Sequence, residues 1–81
     1  MKNSAITEQD YQVHVYTIPQ WDNSTYAKLN QALNKKSEIE RWSVDLENWE
    51  KVLCVKTNSL TEQDVKSYLM LNGIIAEVMN H

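Results

Sequence analysis

Three side chains of the kind that bind soft metal ions lie in stretches with the period-two alternation typical of β-strands. They are His14, Cys54 and Met79. If these strands are neighbours, the alternation predicts that the imidazole, thiol and thioether share one sheet face, where they could bind copper or zinc. The three residues have no spacing signature comparable to Cys-x-x-Cys. We therefore interpret their placement as chance and expect no metal site.

The polar segment Asp22-Asn23-Ser24-Thr25 is a second candidate site. Its oxygens could bind a hard cation, and amides at the start of a helix could bind an anion. The same residue types routinely cap helices, because their side-chain oxygens accept hydrogen bonds from first-turn amides. We interpret the segment as a helix cap.

The sequence gives little support to catalysis. Cys54 lies inside a predicted strand, with no helix N-terminus to favour its thiolate. There is no nucleophile–base pair, phosphate-binding loop or cofactor fingerprint. Nothing places the acidic residues of the middle of the chain in a pocket, so we interpret them as a solvated rim: Glu38, Glu40, Asp45, Glu47 and Glu50. The prediction is a protein that is not an enzyme and needs no cofactor.

Two of the three tryptophans are candidates for contact with another protein. Trp21 and Trp49 fall in predicted loops, and exposed tryptophan is favoured at interfaces because it buries a large apolar area. Each could equally fold back over the edge of the core. Trp42 alternates with Val44 and is expected in the core.

Size and charge limit the classes of function. The 81 residues make one domain with a small core. The net charge of −3 and the pI near 5.2 argue against nucleic acid as a partner. The single cysteine cannot form an intramolecular disulfide, and no stretch has the length and hydropathy of a signal peptide or a membrane span. We expect a cytoplasmic protein with a flexible polar tail at 1–10 and one domain at 11–81.

Periodicity predicts the order strand, helix, strand, strand, helix, strand. The centre is a hairpin at 42–55 with a polar turn at 47–51. A strand at 11–18 and a helix at 24–35 precede it, and a helix ending near Leu71 and a strand at 74–79 follow. Gly73 suits the left-handed position after a helix. This order predicts an α+β, ferredoxin-like βαββαβ sandwich, with two helices on one face of a four-stranded antiparallel sheet.

The chain from about Tyr11 onward resembles the heavy-metal-associated domain of metallochaperones and metal-transporting ATPases. The hairpin Trp42-Ser43-Val44-Asp45 and Lys51-Val52-Leu53-Cys54-Val55 is similar to a bacterial branch of that family. The stretches Leu-Thr-Glu-Gln-Asp-Val before the second helix and Gly-Ile-Ile-Ala-Glu before the last strand also fit the family pattern.

The resemblance implies a metal-binding Met-x-Cys-x-x-Cys motif in the loop after the first strand. In a gapless comparison the methionine position falls on Gln20, and the two cysteine positions fall on Asp22 and Thr25. These hard oxygen groups cannot replace a dithiolate for copper. The resemblance therefore implies a degenerate member without the usual metal site.

These observations predict a non-enzymatic, metallochaperone-like domain that acts in protein–protein interaction or self-association. We expect the open sheet face, together with the loops, to contact the partner, chiefly through Tyr16, Trp21, Trp49 and Ile75. The open face is expected to carry Gln12, His14, Tyr16, Cys54, Lys56, Ile75 and Met79. Two alternatives stay open: a copper or zinc carrier with a relocated site, and a small-molecule regulatory module.

Overall fold

The computed structural model describes residues 11–79, so the predicted tail at 1–10 lies outside the described residues. The elements are β1 (Gln12–Thr17), α1 (Thr25–Lys35), β2 (Ile39–Asp45), β3 (Val52–Thr57), α2 (Glu62–Leu71) and β4 (Glu77–Val78). The sheet order is β2-β3-β1-β4, and all neighbours are antiparallel. The ferredoxin-like prediction is confirmed. Within this part of the chain, no helix has the length and hydropathy needed to span a membrane.

The strand register decides which side chains face the helices. In the ladder between β1 and β3, His14 pairs with Val55 and Tyr16 pairs with Leu53. These pairs point to the helix side, where Tyr16, Leu53 and Val55 are fully buried. The alternate pair of Val15 with Cys54 points to the opposite face, which neither helix covers.

The core lies between the sheet and the two helices. α1 contributes Leu29 and Leu33, and α2 contributes Val65 and Leu69, at the three- and four-residue spacings of one helix face. Partly buried hydrophobic residues close the margins of this core: Trp21, Trp42, Val44, Leu60 and Val78. Among the described residues, every buried side-chain nitrogen or oxygen has a hydrogen-bond partner.

The ends of α2 follow from local chemistry. Thr61 and Asp64 form a capping box, in which each side chain accepts a hydrogen bond from the other's backbone N–H. Gly73 follows the helix with φ +81°, as predicted for the left-handed position. The last strand is shorter than predicted, because only Glu77 and Val78 pair with β1.

Candidate functional site

His14 and Cys54 lie on opposite faces of the sheet, so the predicted convergence with Met79 is wrong. His14 is only 8% exposed on the helix side. Its Nε2 lies 3.0 Å from the carbonyl oxygen of Leu60. A carbonyl can only accept a hydrogen bond, so this nitrogen carries the proton and is not free to bind a metal. The histidine therefore acts as a satisfied core residue.

Met79 reaches the same sheet face as Cys54, but not the same place. Its N–H donates to the carbonyl oxygen of Val15 at 3.0 Å, which sets it beside β1. β1 lies between β3 and β4, so the backbones of Cys54 and Met79 are two strand spacings apart, roughly 10 Å. Residues 11–79 contain no group of three or more His, Cys, Asp or Glu residues that could hold a metal ion.

Tyr16 belongs to the core, so its predicted contact with a partner is wrong. The side chain is 0% exposed. Its hydroxyl donates to the carbonyl oxygen of Glu62 at 2.8 Å, which satisfies the polar end of an otherwise apolar ring. Burial, and then the nearby negative charge of Glu62, raise the pKa of Tyr16 well above its ordinary value.

The open face of the sheet carries apolar as well as charged residues. Val13 is 60% exposed there, beside a shallow and mainly apolar groove of about 180 Å³. Cys54 and Lys56 lie on this face as expected, and the Lys56 ammonium sits 4.8 Å from the centre of the Tyr11 ring. The groove is lined by Val13, Arg41, Trp42, Ser43, Cys54 and Lys56.

The loop between β1 and α1 is organised by the carboxylate of Asp22. Its Oδ1 accepts hydrogen bonds from the Ser24 N–H (2.8 Å), the Ser24 hydroxyl (2.7 Å) and the Thr25 hydroxyl (3.1 Å). The bonds from Ser24, followed by the bond from Thr25, lower the pKa of Asp22. Ser24 occupies the N-cap position without a side-chain cap bond. The polar segment is thus a turn held by Asp22 rather than a simple cap.

Gln20, Asp22 and Thr25 come together around one cavity of about 240 Å³ at the start of α1. The cavity continues to the segment after α2, where Ile75 is half-exposed. It is smaller than the roughly 300–1,000 Å³ typical of small-molecule sites. Its lining residues are Ile18, Gln20, Asp22, Thr25, Lys28, Gly73, Ile74 and Ile75.

Trp49 is the most prominent exposed aromatic residue of the described chain. It lies in the loop between β2 and β3 and is 84% exposed. A cavity of about 270 Å³ beside it is lined by Thr17, Pro19, Trp49, Glu50 and Glu77. Sequence reasoning identified Trp49 but missed Glu77. The carboxylate reaches this place only because β4 pairs with β1, placing Glu77 opposite Thr17.

The other two tryptophans are tied to the core. Trp21 is half-buried and packs against the core margin. Trp42, which was expected in the core, is half-buried and packs against the core from its margin. Its Nε1–H donates to Asn34 Oδ1 at 3.0 Å, and its ring centroid lies 5.8 Å from that of Tyr26. Trp49 therefore has the largest area free for a partner.

Comparisons with known proteins support the fold. No protein-family model matches this chain, and no curated protein matches it significantly. Among solved structures, the chain is similar to the apo form of the HMA domain of a copper chaperone for superoxide dismutase. The two share 18% sequence identity with a TM-score of 0.72, over 86% of this chain and 68% of that one. At this identity the likeness shows an HMA-like fold.

Proposed function

We propose that this chain is a non-enzymatic, metallochaperone-like domain that has lost the dithiolate metal site and acts by binding another protein. The observation that carries the proposal is the exposure of Trp49, 84% of which faces solvent beside two carboxylates. An exposed tryptophan at the rim of a cavity has the features of an interface anchor.

The β1–α1 loop supports the loss of metal binding. The positions that correspond to the two thiolates of the family motif are Asp22 and Thr25, whose side chains are hydrogen-bonded to each other at 3.1 Å. Soft ions such as Cu(I) prefer thiolate and thioether ligands. The single cysteine, Cys54, lies in β3 on the open face, away from this loop.

The surroundings of Trp49 favour a partner with a basic side chain. Glu50 and Glu77 line the same cavity as the indole, and the chain carries a net charge of −3. A lysine or arginine could pair with a carboxylate while its charge lies over the indole face. Thr17 and Pro19 also line this cavity. The domain would thus recognise a basic segment of another protein. Its location in the cytoplasm stays a prediction.

An NMR titration of the reduced protein with Cu(I) and then Zn(II) tests the loss of the metal site. We expect no stoichiometric amide shifts at Asp22 or Thr25, because hard oxygens bind these ions weakly. Stoichiometric shifts there would contradict the proposal and indicate a remodelled metal loop. Stoichiometric shifts at Cys54 and Met79 would instead indicate metal binding on the open face, at a place other than the loop.

Affinity capture from a lysate of the source organism, followed by binding measurements on the captured protein, tests the interaction. Trp49→Ala should weaken binding by about tenfold or more, as expected for a tryptophan at the centre of an interface. Leu71→Ala is the matched control, because Leu71 is equally exposed, at 85%, on α2. The double variant Glu50→Gln/Glu77→Gln should reduce both the affinity and its salt dependence. Equal binding by the Trp49 variant and the wild type would overturn the proposal.

A further inference from the structure

Among residues 11–79, β2 is an edge strand whose outer side is unpaired. In the described part of the chain it pairs only with β3, while β3 and β1 each have neighbours on both sides. An edge of seven residues presents a row of unpaired backbone groups, which is a template for another strand. The bulge between Ile39 and Arg41 interrupts only one end of it.

The alternation of hydrogen bonds along the strands shows which residues of β2 direct their backbone groups toward the open edge. Val15 accepts its hydrogen bond from β4, so its β3 partner Cys54 directs its backbone groups toward β2. Cys54 pairs with Ser43, which therefore faces β3. The residues on either side of Ser43, namely Trp42 and Val44, therefore direct their N–H and C=O groups away from β3, toward the open edge.

We propose that a second copy of this chain pairs with the β2 edge, antiparallel and centred on Ser43. In this register Trp42 lies opposite the second copy's Val44, and the two residues can exchange both backbone hydrogen bonds. The two-fold axis repeats the pair, so the contact uses the same surface of both copies. The two four-stranded sheets would join into one of eight strands.

The charges along β2 fit a second copy of the same strand. Arg41 and Asp45 lie two residues on either side of Ser43, and both are exposed on the open face. Pairing centred on Ser43 places each Arg41 opposite the other copy's Asp45, in a pair without backbone hydrogen bonds, where side chains approach most closely. Charges of a single sign would repel a second copy, whereas these two signs complement each other.

This inference goes beyond the proposed function, because Trp49, Glu50 and Glu77 are not part of the β2 edge. A chain with a dimeric β2 edge could still bind, or fail to bind, a basic partner through Trp49. The two proposals therefore succeed or fail separately.

Sedimentation equilibrium of the full chain over a range of concentrations, with charge variants, tests the pairing. Arg41→Asp and Asp45→Arg should each weaken dimerisation by about tenfold, because like charges lie opposite each other twice in the interface. The double variant, which restores opposite charges, should recover the wild-type association. Circular dichroism checks that each variant folds. A wild-type chain that is monomeric at every concentration would overturn the proposal, and so would a double variant no better than the singles.

Disulfide cross-linking tests the register. In a Cys54→Ser background, Ser43→Cys places the two introduced thiols opposite each other, and mild oxidation should link them. Asp45→Cys in the same background is the matched control, because its two thiols would be four residues out of register, roughly 13 Å apart. Cross-linking of the Asp45 variant but not the Ser43 variant, or of both equally, would contradict the register.

Discussion

Tyr16 joins the centre of the sheet to the first turn of α2 through one partly buried hydrogen bond, 2.8 Å from its hydroxyl to the Glu62 carbonyl oxygen. Tyr16→Phe removes that bond and leaves the ring in place. We expect the free energy of unfolding at neutral pH to fall by about 1 kcal/mol, the usual net contribution of such a bond. Urea unfolding measures it. Tyr26→Phe is the control, because Tyr26 is about half-exposed. An equal loss of stability in that variant would show that the loss in Tyr16→Phe does not come from the hydrogen bond to Glu62.

The same pair of proteins tests the titration of Tyr16. Burial raises the pKa of Tyr16 in the folded state, so the unfolded chain loses this proton first as the pH rises. The contribution of protonated Tyr16 to the free energy of unfolding is fully present below the ordinary tyrosine pKa of about 10 and is lost progressively above it. The wild type should therefore lose stability more steeply than Tyr16→Phe between about pH 10 and 11. Parallel pH profiles would contradict this prediction.

The ionised carboxylate of Asp22 stabilises the turn that precedes α1. Its hydrogen bonds with Ser24 and Thr25 lower its pKa in the folded state, so its contribution is present above the ordinary aspartate pKa of about 4 and is lost as the pH falls below that. In an NMR titration, the amide of Ser24 should shift as Asp22 is protonated. Asp22→Asn should abolish that transition. A transition that persists in this variant would assign the titration to another group.

Gly73 ends α2 because it has φ +81°, a backbone conformation that is strained for other residues. An added Cβ would meet only Lys28 Nζ at 3.7 Å, so the cost of Gly73→Ala comes from the backbone rather than from a clash. We expect a loss of about 1 kcal/mol in the free energy of unfolding. Gly73→Asn should lose less, because asparagine tolerates this region. Equal losses for both variants would point to a cause other than φ.

The elements were predictable from the sequence because their signals are local. Period-two alternation, the Thr61–Asp64 capping box and Gly73 each depend on neighbouring residues, and all three features are present in the structure. The end of the chain was predicted less well. The alternation at 74–79 favoured a full strand, but the strand comprises only Glu77 and Val78, with one further hydrogen bond from the Met79 N–H to β1.

The candidate site was predicted less well because it depends on register and on which face the helices cover. Both faces of β1 are rich in apolar and aromatic residues, with Val13 and Val15 on one and Tyr16 on the other. Periodicity alone could not decide between them. A shift of one residue in pairing exchanges the faces. His14 pairs with Val55, so its side chain lies on the helix side, whereas the preceding residue of β3, Cys54, faces the open side. This one-residue difference in register places the two supposed metal ligands on opposite faces of the sheet.

The whole molecule is a two-layer domain whose sheet has one face under the helices and one face open. The helix side holds the large buried residues, whereas the open side exposes Val13 and leaves Cys54 half-buried. A short chain supports only one core of this kind. The open face, the loops and the outer edge of β2 lie outside that core, so they are available for contacts with a partner.

Unfolding should accordingly be one cooperative transition that depends on the shared core. Leu53 is 0% exposed at the centre of β3, and Leu53→Ala should cost about 2–5 kcal/mol, since a buried methyl-rich side chain leaves a cavity. That loss is a large part of the roughly 5–15 kcal/mol typical of a domain. Leu71→Ala, at an 85% exposed position, should change stability by less than about 0.5 kcal/mol. Urea unfolding followed by circular dichroism and by tryptophan fluorescence measures both variants. Separate transitions from the two probes, or similar losses in the two variants, would contradict a single core.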